Sequence, residues 1–135
     1  MKVVILAGGY GTRIRDVAEN IPKPMIPIGE YPIIWHIMNG YYKFGYNDFM
    51  ICLGFQGQKI KEYFLNYHNL SQNIQINLNN NKGIKYLDQP EIFDWNISLI
   101  NTGLNTMTGG RISKLRNYLK DEDDFLLTYG DGLSN

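Results

Sequence analysis

Val3 to Ala7 is an unbroken apolar run that stops at Gly8, Gly9 and Gly11. A strand with no polar face must be covered on both sides, as strands of parallel sheets are. The same signature recurs where Asp48 to Leu53 runs into Gly54 and Gly57, and where Phe125 to Tyr129 runs into Gly130-Asp131-Gly132. Helical spacing fills the intervals. Pro32 suits the opening of a helix over Ile33 to Phe44, with Ile33, Ile34, Ile37, Met38, Tyr41 and Tyr42 apolar and Gly45 as its stop. Gln58 to Tyr67 places Ile60, Tyr63, Phe64 and Tyr67 on one face, and a further helix is expected from about Ile112 to Leu119. Alternation at Ile74, Ile76 and Leu78 predicts a strand, and Lys85 to Gln89 and Ile97 to Ile100 two more short ones. Strands alternating with helices define an α/β class with a mostly parallel sheet. No repeat or linker interrupts it, so residues 1–135 are read as one domain.

Charge narrows the function classes. Thirteen basic residues balance thirteen acidic ones, which leaves no global field to attract nucleic acid or an anionic membrane. Any bound anion must be caught by a local set of donors. Cys52, the only cysteine, lies in an apolar run and is expected to be a buried, inert thiol. The opening apolar stretch is too short to span a membrane and carries no signal-peptide cleavage pattern, so a cytoplasmic location is expected. His36 is expected to be packed mid-helix, His68 to sit at a helix end, and Asp121 to Asp124 to form a solvated loop. There is no Cys/His metal cluster and no Gly-x-Ser-x-Gly elbow.

In a parallel sheet, ligands sit beyond the carboxyl ends of the strands. Four segments fall there or are built to reach it. The first is Gly8-Gly9-Tyr10-Gly11-Thr12-Arg13. Its glycines let backbone N–H groups approach an anion, and Arg13 adds a fork of donors suited to phosphate. The spacing is neither Gly-x-Gly-x-x-Gly nor a P-loop, so alone it leaves a tight turn with a surface arginine as the other reading. The second is Lys23, between Pro22 and Pro24. The prolines push Ile21 and Lys23 toward extended geometry, which would hold this lysine on a stiff tether. The third is Asp131, an acid at a strand end that suits a metal ligand or a plain turn. The fourth is Thr106-Met107-Thr108-Gly109-Gly110-Arg111. Thr108 is expected to cap a helix, and Arg111 stands against the helix dipole, which points to an anionic partner.

Together these segments resemble one family. Leu6-Ala7-Gly8-Gly9-x-Gly11-Thr12-Arg13, Pro22-Lys23-Pro24-Met25, Gly29, Pro32-Ile33 and His36 are similar to the sugar nucleotidyltransferases, which join a nucleoside triphosphate and a sugar 1-phosphate. Trp95-Asn96-Ile97-Ser98-Leu99, Thr102-Gly103, Met107 to Arg111 and Thr128 to Gly132 resemble its glucose-1-phosphate cytidylyltransferase branch. The resemblance implies a three-layer, Rossmann-like fold of which this chain is the N-terminal half. It implies that Leu6, Ala7, Gly8, Gly9, Gly11, Thr12 and Arg13 hold CTP, that Lys23 contacts phosphate, and that Thr106 and Arg111 lie at the nucleotide. It further implies that Gly130 packs against the nucleotide and Asp131 holds Mg²⁺. A second metal carboxylate and much of the sugar-phosphate pocket would lie beyond residue 135. Two segments depart from the pattern: Tyr10 stands where a small or aliphatic residue is usual, and Glu30-Tyr31 where Gly-Lys is common.

The implied reaction is attack of a sugar-phosphate oxygen on the α-phosphorus of CTP. That nucleophile is already ionised, so no general base is needed. Arg13 and Lys23 are the implied catalytic residues. The alternatives are a non-catalytic nucleotide-binding module, an inactive fragment, or a transferase that uses UTP or dTTP. Exposed apolar surface on the sheet, and a homo-oligomer, are expected.

Overall fold

The computed structural model describes residues 1–8, 21–79, 83–88, 93–103, 108–119 and 124–130, and at 108, 109 and 111 the backbone alone. Its centre is a parallel sheet of β1 (Lys2–Ala7), β4 (Asp48–Leu53), β7 (Asn96–Asn101) and β8 (Phe125–Tyr129), in the order β7-β4-β1-β8. β1 lies between β4 and β8, and its apolar run is explained by cover on both faces: Val3, Val4 and Ile5 are fully buried.

The pleat sorts these strands into two cores. Val3, Ile5, Ala7, Phe49, Ile51 and Leu53 point to one face. There they meet Ile34 and Met38 of α1 (Ile33–Tyr42) and Ile60 of α2 (Gly57–Leu65). Val4, Leu6, Met50 and Cys52 point to the other face, against Leu115 and Leu119 beside α4 (Thr108–Lys114) and within α5 (Arg116–Leu119). Three layers result, as expected, and Cys52 is a buried free thiol. At the amino edge, the Lys2 ammonium and Asp48 carboxylate meet at 2.8 Å, which bridges β1 and β4.

Helix α1 stops two residues before its expected end, and the reason is local. Gly45, at φ +95°, donates to the Tyr42 carbonyl at 2.9 Å, while the Tyr46 N–H reaches back to Tyr41 at 3.2 Å. That is a Schellman closure, and the Tyr41 and Tyr46 rings supply its apolar contact at 6.2 Å.

The second expected helix is broken. α2 ends at Leu65, and α3 (Tyr67–Ser71) follows Asn66. The Asn66 side-chain amide and backbone N–H both donate to the Glu62 carbonyl at 3.0 Å. An asparagine that competes for helix carbonyls favours such an interruption.

Ile74–Ile76 (β5) and Ile84–Tyr86 (β6) are strands, but they form a separate antiparallel pair outside the main sheet. Pro27–Ile28 (β2) and Tyr31–Pro32 (β3) form another small antiparallel pair, turned at Gly29. α4 begins at Thr108, ahead of the expected Ile112.

Candidate active site

The carboxyl ends of the strands are tied to one another by backbone hydrogen bonds. β1 and β8 run in register, Leu6 beside Tyr129, and the Gly130 N–H donates to the Leu6 carbonyl at 3.0 Å. Gly130 is buried, and a Cβ there would lie 3.0 Å from Ile5 Cγ2 and 3.3 Å from Ala7 Cβ. Glycine lets β8 leave the sheet this close to β1 without displacing Ile5 or Ala7. The start of the glycine loop and the end of the last strand therefore share one edge, as the sequence predicts.

β4 adds a second tie, with the Phe55 N–H donating to the Gly8 carbonyl at 3.3 Å. β7 adds a third. The Thr102 N–H and hydroxyl both donate to the Leu53 carbonyl, at 2.9 and 3.0 Å. Thr102 is fully buried. Asn101 Oδ1 then accepts the Gly103 N–H at 3.0 Å, with Gly103 at φ +98°. This turn ends β7 at the carboxyl edge of the sheet. The sequence offered Thr102-Gly103 only through the resemblance. An Asn-Thr-Gly run at a strand end was the physical signal for it.

Several expected ligand contacts can be placed. The side chains of Leu6 and Ala7 are buried in the two cores, so what these residues present beyond the sheet is backbone. Gly8 lies where β1 ends. Arg111 falls in the first turns of α4. Gly9, Gly11, Thr12, Arg13, Thr106 and Asp131, and the Arg111 side chain, lie outside the described residues.

Lys23 is corrected. Pro22 is extended, at φ −64° and ψ 146°, but Lys23 opens a 3₁₀ turn, Lys23–Met25. The turn is closed by Met25 N–H to the Pro22 carbonyl at 2.8 Å and Ile26 N–H to the Lys23 carbonyl at 3.2 Å. Neither bond requires an N–H from Pro24, so the proline does not oppose the turn. Pro24 is buried and Met25 packs on the α1 core. Lys23 is thus held by a packed turn and not by an extended tether.

The two histidines behave as structural groups. His36 Nε2 donates to the Ile28 carbonyl at 2.8 Å and joins the β2–β3 turn to α1. His68 accepts from the Gln72 amide at 3.1 Å. Among the described residues no cluster of three or more His, Cys, Asp or Glu could hold a metal ion, and no helix is long and apolar enough to cross a membrane.

Residues 2–131 match the nucleotidyl transferase family. The chain belongs to that family. Among curated proteins, a probable glucose-1-phosphate cytidylyltransferase of Bacillus subtilis is 49% identical over the whole chain and 52% of its own length. A glucose-1-phosphate cytidylyltransferase of Salmonella typhimurium is 44% identical over the same shares. The chain spans about half the length of these nucleotidyl transferases. Among solved structures, HddC from Yersinia pseudotuberculosis superposes with a TM-score of 0.66 at 25% identity, covering 96% of this chain and 47% of that one. A UDP-glucose pyrophosphorylase shares the fold, with a TM-score of 0.64 at 18% identity, covering 96% of this chain and 45% of that one.

Proposed function

We propose that this chain is the nucleotide-binding part of an enzyme that transfers a cytidylyl group from CTP to glucose 1-phosphate. The observation that carries the reading is 44% to 49% identity to glucose-1-phosphate cytidylyltransferases across all of its residues. The convergence of Gly8 and Gly130 on one sheet edge supports it. In the reaction a sugar-phosphate oxygen bonds to the α-phosphorus of CTP, the bond to the β-phosphate oxygen breaks, and pyrophosphate leaves. No proton must be abstracted, so catalysis rests on alignment and on neutralising charge.

Backbone donors after Ala7 would hold the triphosphate, Arg13 would stabilise the departing pyrophosphate, and Lys23 would offset charge at the α-phosphate. Thr106 and Arg111 would line the nucleotide on the β7 side. Asp131 follows the strand end that Gly130 pins beside β1. One carboxylate there suits Mg²⁺, which commonly takes its other ligands from phosphates and water. When bound, such an ion would neutralise charge shared between nucleotide and sugar phosphate. The neutral chain supports a role without nucleic acid or membrane, and a cytoplasmic homo-oligomer is part of the reading.

The test is pyrophosphate release with Mg²⁺ and glucose 1-phosphate, comparing CTP with UTP and dTTP. Release with CTP alone is expected. Preference for UTP or dTTP overturns the base assignment, and CTP binding without turnover identifies a binding module.

A further inference from the structure

A cavity of about 510 Å³ lies between the β2–β3 pair and the α2–α3 helices. Among the described residues it is lined by Glu30, Tyr31, Tyr63, Tyr67, Leu70 and Ser71. Its walls are aromatic and fixed. Tyr31 stacks on Trp35 with ring centroids 3.8 Å apart and planes within 12°. The Trp35 indole N–H donates to the Tyr67 hydroxyl at 3.0 Å, which sets the Tyr67 ring. Tyr63 stands at 87° to Tyr67, centroids 5.7 Å apart, so two walls meet at a right angle. Glu30 is the one charged group among these lining residues.

We propose that this pocket binds an organic cation, an alkylammonium or guanidinium group carried on a short apolar body. Aromatic faces attract a cation through the ring quadrupole, and a carboxylate at the rim adds direct attraction. Leu70 offers apolar contact to the body of such a ligand. Anionic ligands, including nucleotides and sugar phosphates, are disfavoured, because no described lining residue is cationic. None of these lining residues is among those proposed to hold the nucleotide, and the proposal does not depend on the cytidylyltransferase reading.

Burial, with Tyr67 and then Tyr31 adding to it, pushes the Tyr63 phenol well above its ordinary pKa. The hydroxyl is thus neutral at physiological pH, and the three phenols lie near enough to affect one another.

The chemistry is common to a free amine and to a lysine side chain of another protein. Tyrosine ring resonances of the intact chain would be followed by NMR during titration with tetramethylammonium chloride. Neutral tert-butanol, of similar size, and sodium chloride serve as controls. Saturable shifts at Tyr31, Tyr63 and Tyr67 with tetramethylammonium alone are expected. Glu30→Gln, an exposed change, should weaken binding about fivefold, or about 1 kcal/mol. Tyr31→Phe keeps the ring and should retain binding, and Tyr31→Leu should lose it. Equal shifts from tert-butanol, or unchanged affinity in Glu30→Gln, would overturn the proposal. Putrescine and Nα-acetyl-lysine amide then separate the sources: tighter binding of the first supports a free amine, and of the second a side chain. Binding of neither overturns the assignment.

Discussion

Single residues carry three separable roles in this domain. Arg13 is proposed to act on the developing charge of the leaving group and not on ground-state affinity. In an active preparation, Arg13→Ala should lower kcat by roughly 100-fold or more, a typical loss for one preorganised donor. The Kd for CTP, measured by calorimetry, should move far less. Equal losses in both would reduce Arg13 to a binding group. Tyr63 is a stability residue with a pH signature. Its folded pKa is raised above the usual 10.0 of a tyrosine phenol, chiefly by burial. The folded state therefore holds its proton longer than the unfolded chain does. The contribution is fully present below pH 10 and is lost as pH rises beyond it. Urea midpoints compared at pH 9 and above pH 10 should fall in the parent and fall less in Tyr63→Phe. Identical slopes would remove Tyr63 from the alkaline transition. Thr102 has a third role, since its hydroxyl and N–H close β7 onto β4.

At the scale of elements, the strands follow from their composition and the helix ends from their closing residues. β4 and β8 match the ranges expected from apolar runs flanked by glycines. α1 is defined at its start by Pro32 and at its end by Gly45. Because Gly45 lies at φ +95° with open space around it, Gly45→Ala tests backbone strain without steric overlap. The change should destabilise the domain by about 1 kcal/mol, with Gly45→Asn milder. Chemical denaturation with an unchanged m-value is the check, and a neutral Gly45→Ala would remove the Schellman closure as the helix stop. The break at Asn66 went unread for a plain reason: apolar spacing continues through it, from Tyr63 and Phe64 to Tyr67. The spacing reports which face is covered, whereas the Asn66 side chain decides whether the helix continues.

At the scale of the whole molecule, two strand edges among the described residues carry grouped, uncovered apolar side chains. β8 pairs only with β1 among the described residues, and Leu127 and Tyr129 on one of its faces are 44% and 58% exposed. On the β5–β6 pair, Ile76, Ile84 and Tyr86 share one outward face, because Ile76 pairs with Ile84 and Ile74 with Tyr86. Apolar side chains grouped on an unpaired edge favour association. Light scattering should show mass rising with concentration, and Leu127→Lys should reduce the rise. A clean monomer at high concentration in the unmodified chain would contradict this.

The amino-acid sequence by itself determined the α/β class, the three glycine-ended strands, the burial of Cys52 and the edge at which Gly8 and Gly130 meet. These follow from local periodicity and from backbone freedom at glycine, which neighbouring residues alone encode. The tertiary structure decided the rest. Lys23 adopts a packed turn because Pro24 and Met25 seat on α1, a contact between segments that local proline rules do not contain. β5 and β6 stand outside the main sheet because they pair with each other, a choice of partner that alternation within a strand does not encode. Glu30 and Tyr31, an unexplained departure in the chain, became a pocket wall only when Tyr63 and Tyr67, more than thirty residues away, were folded against them.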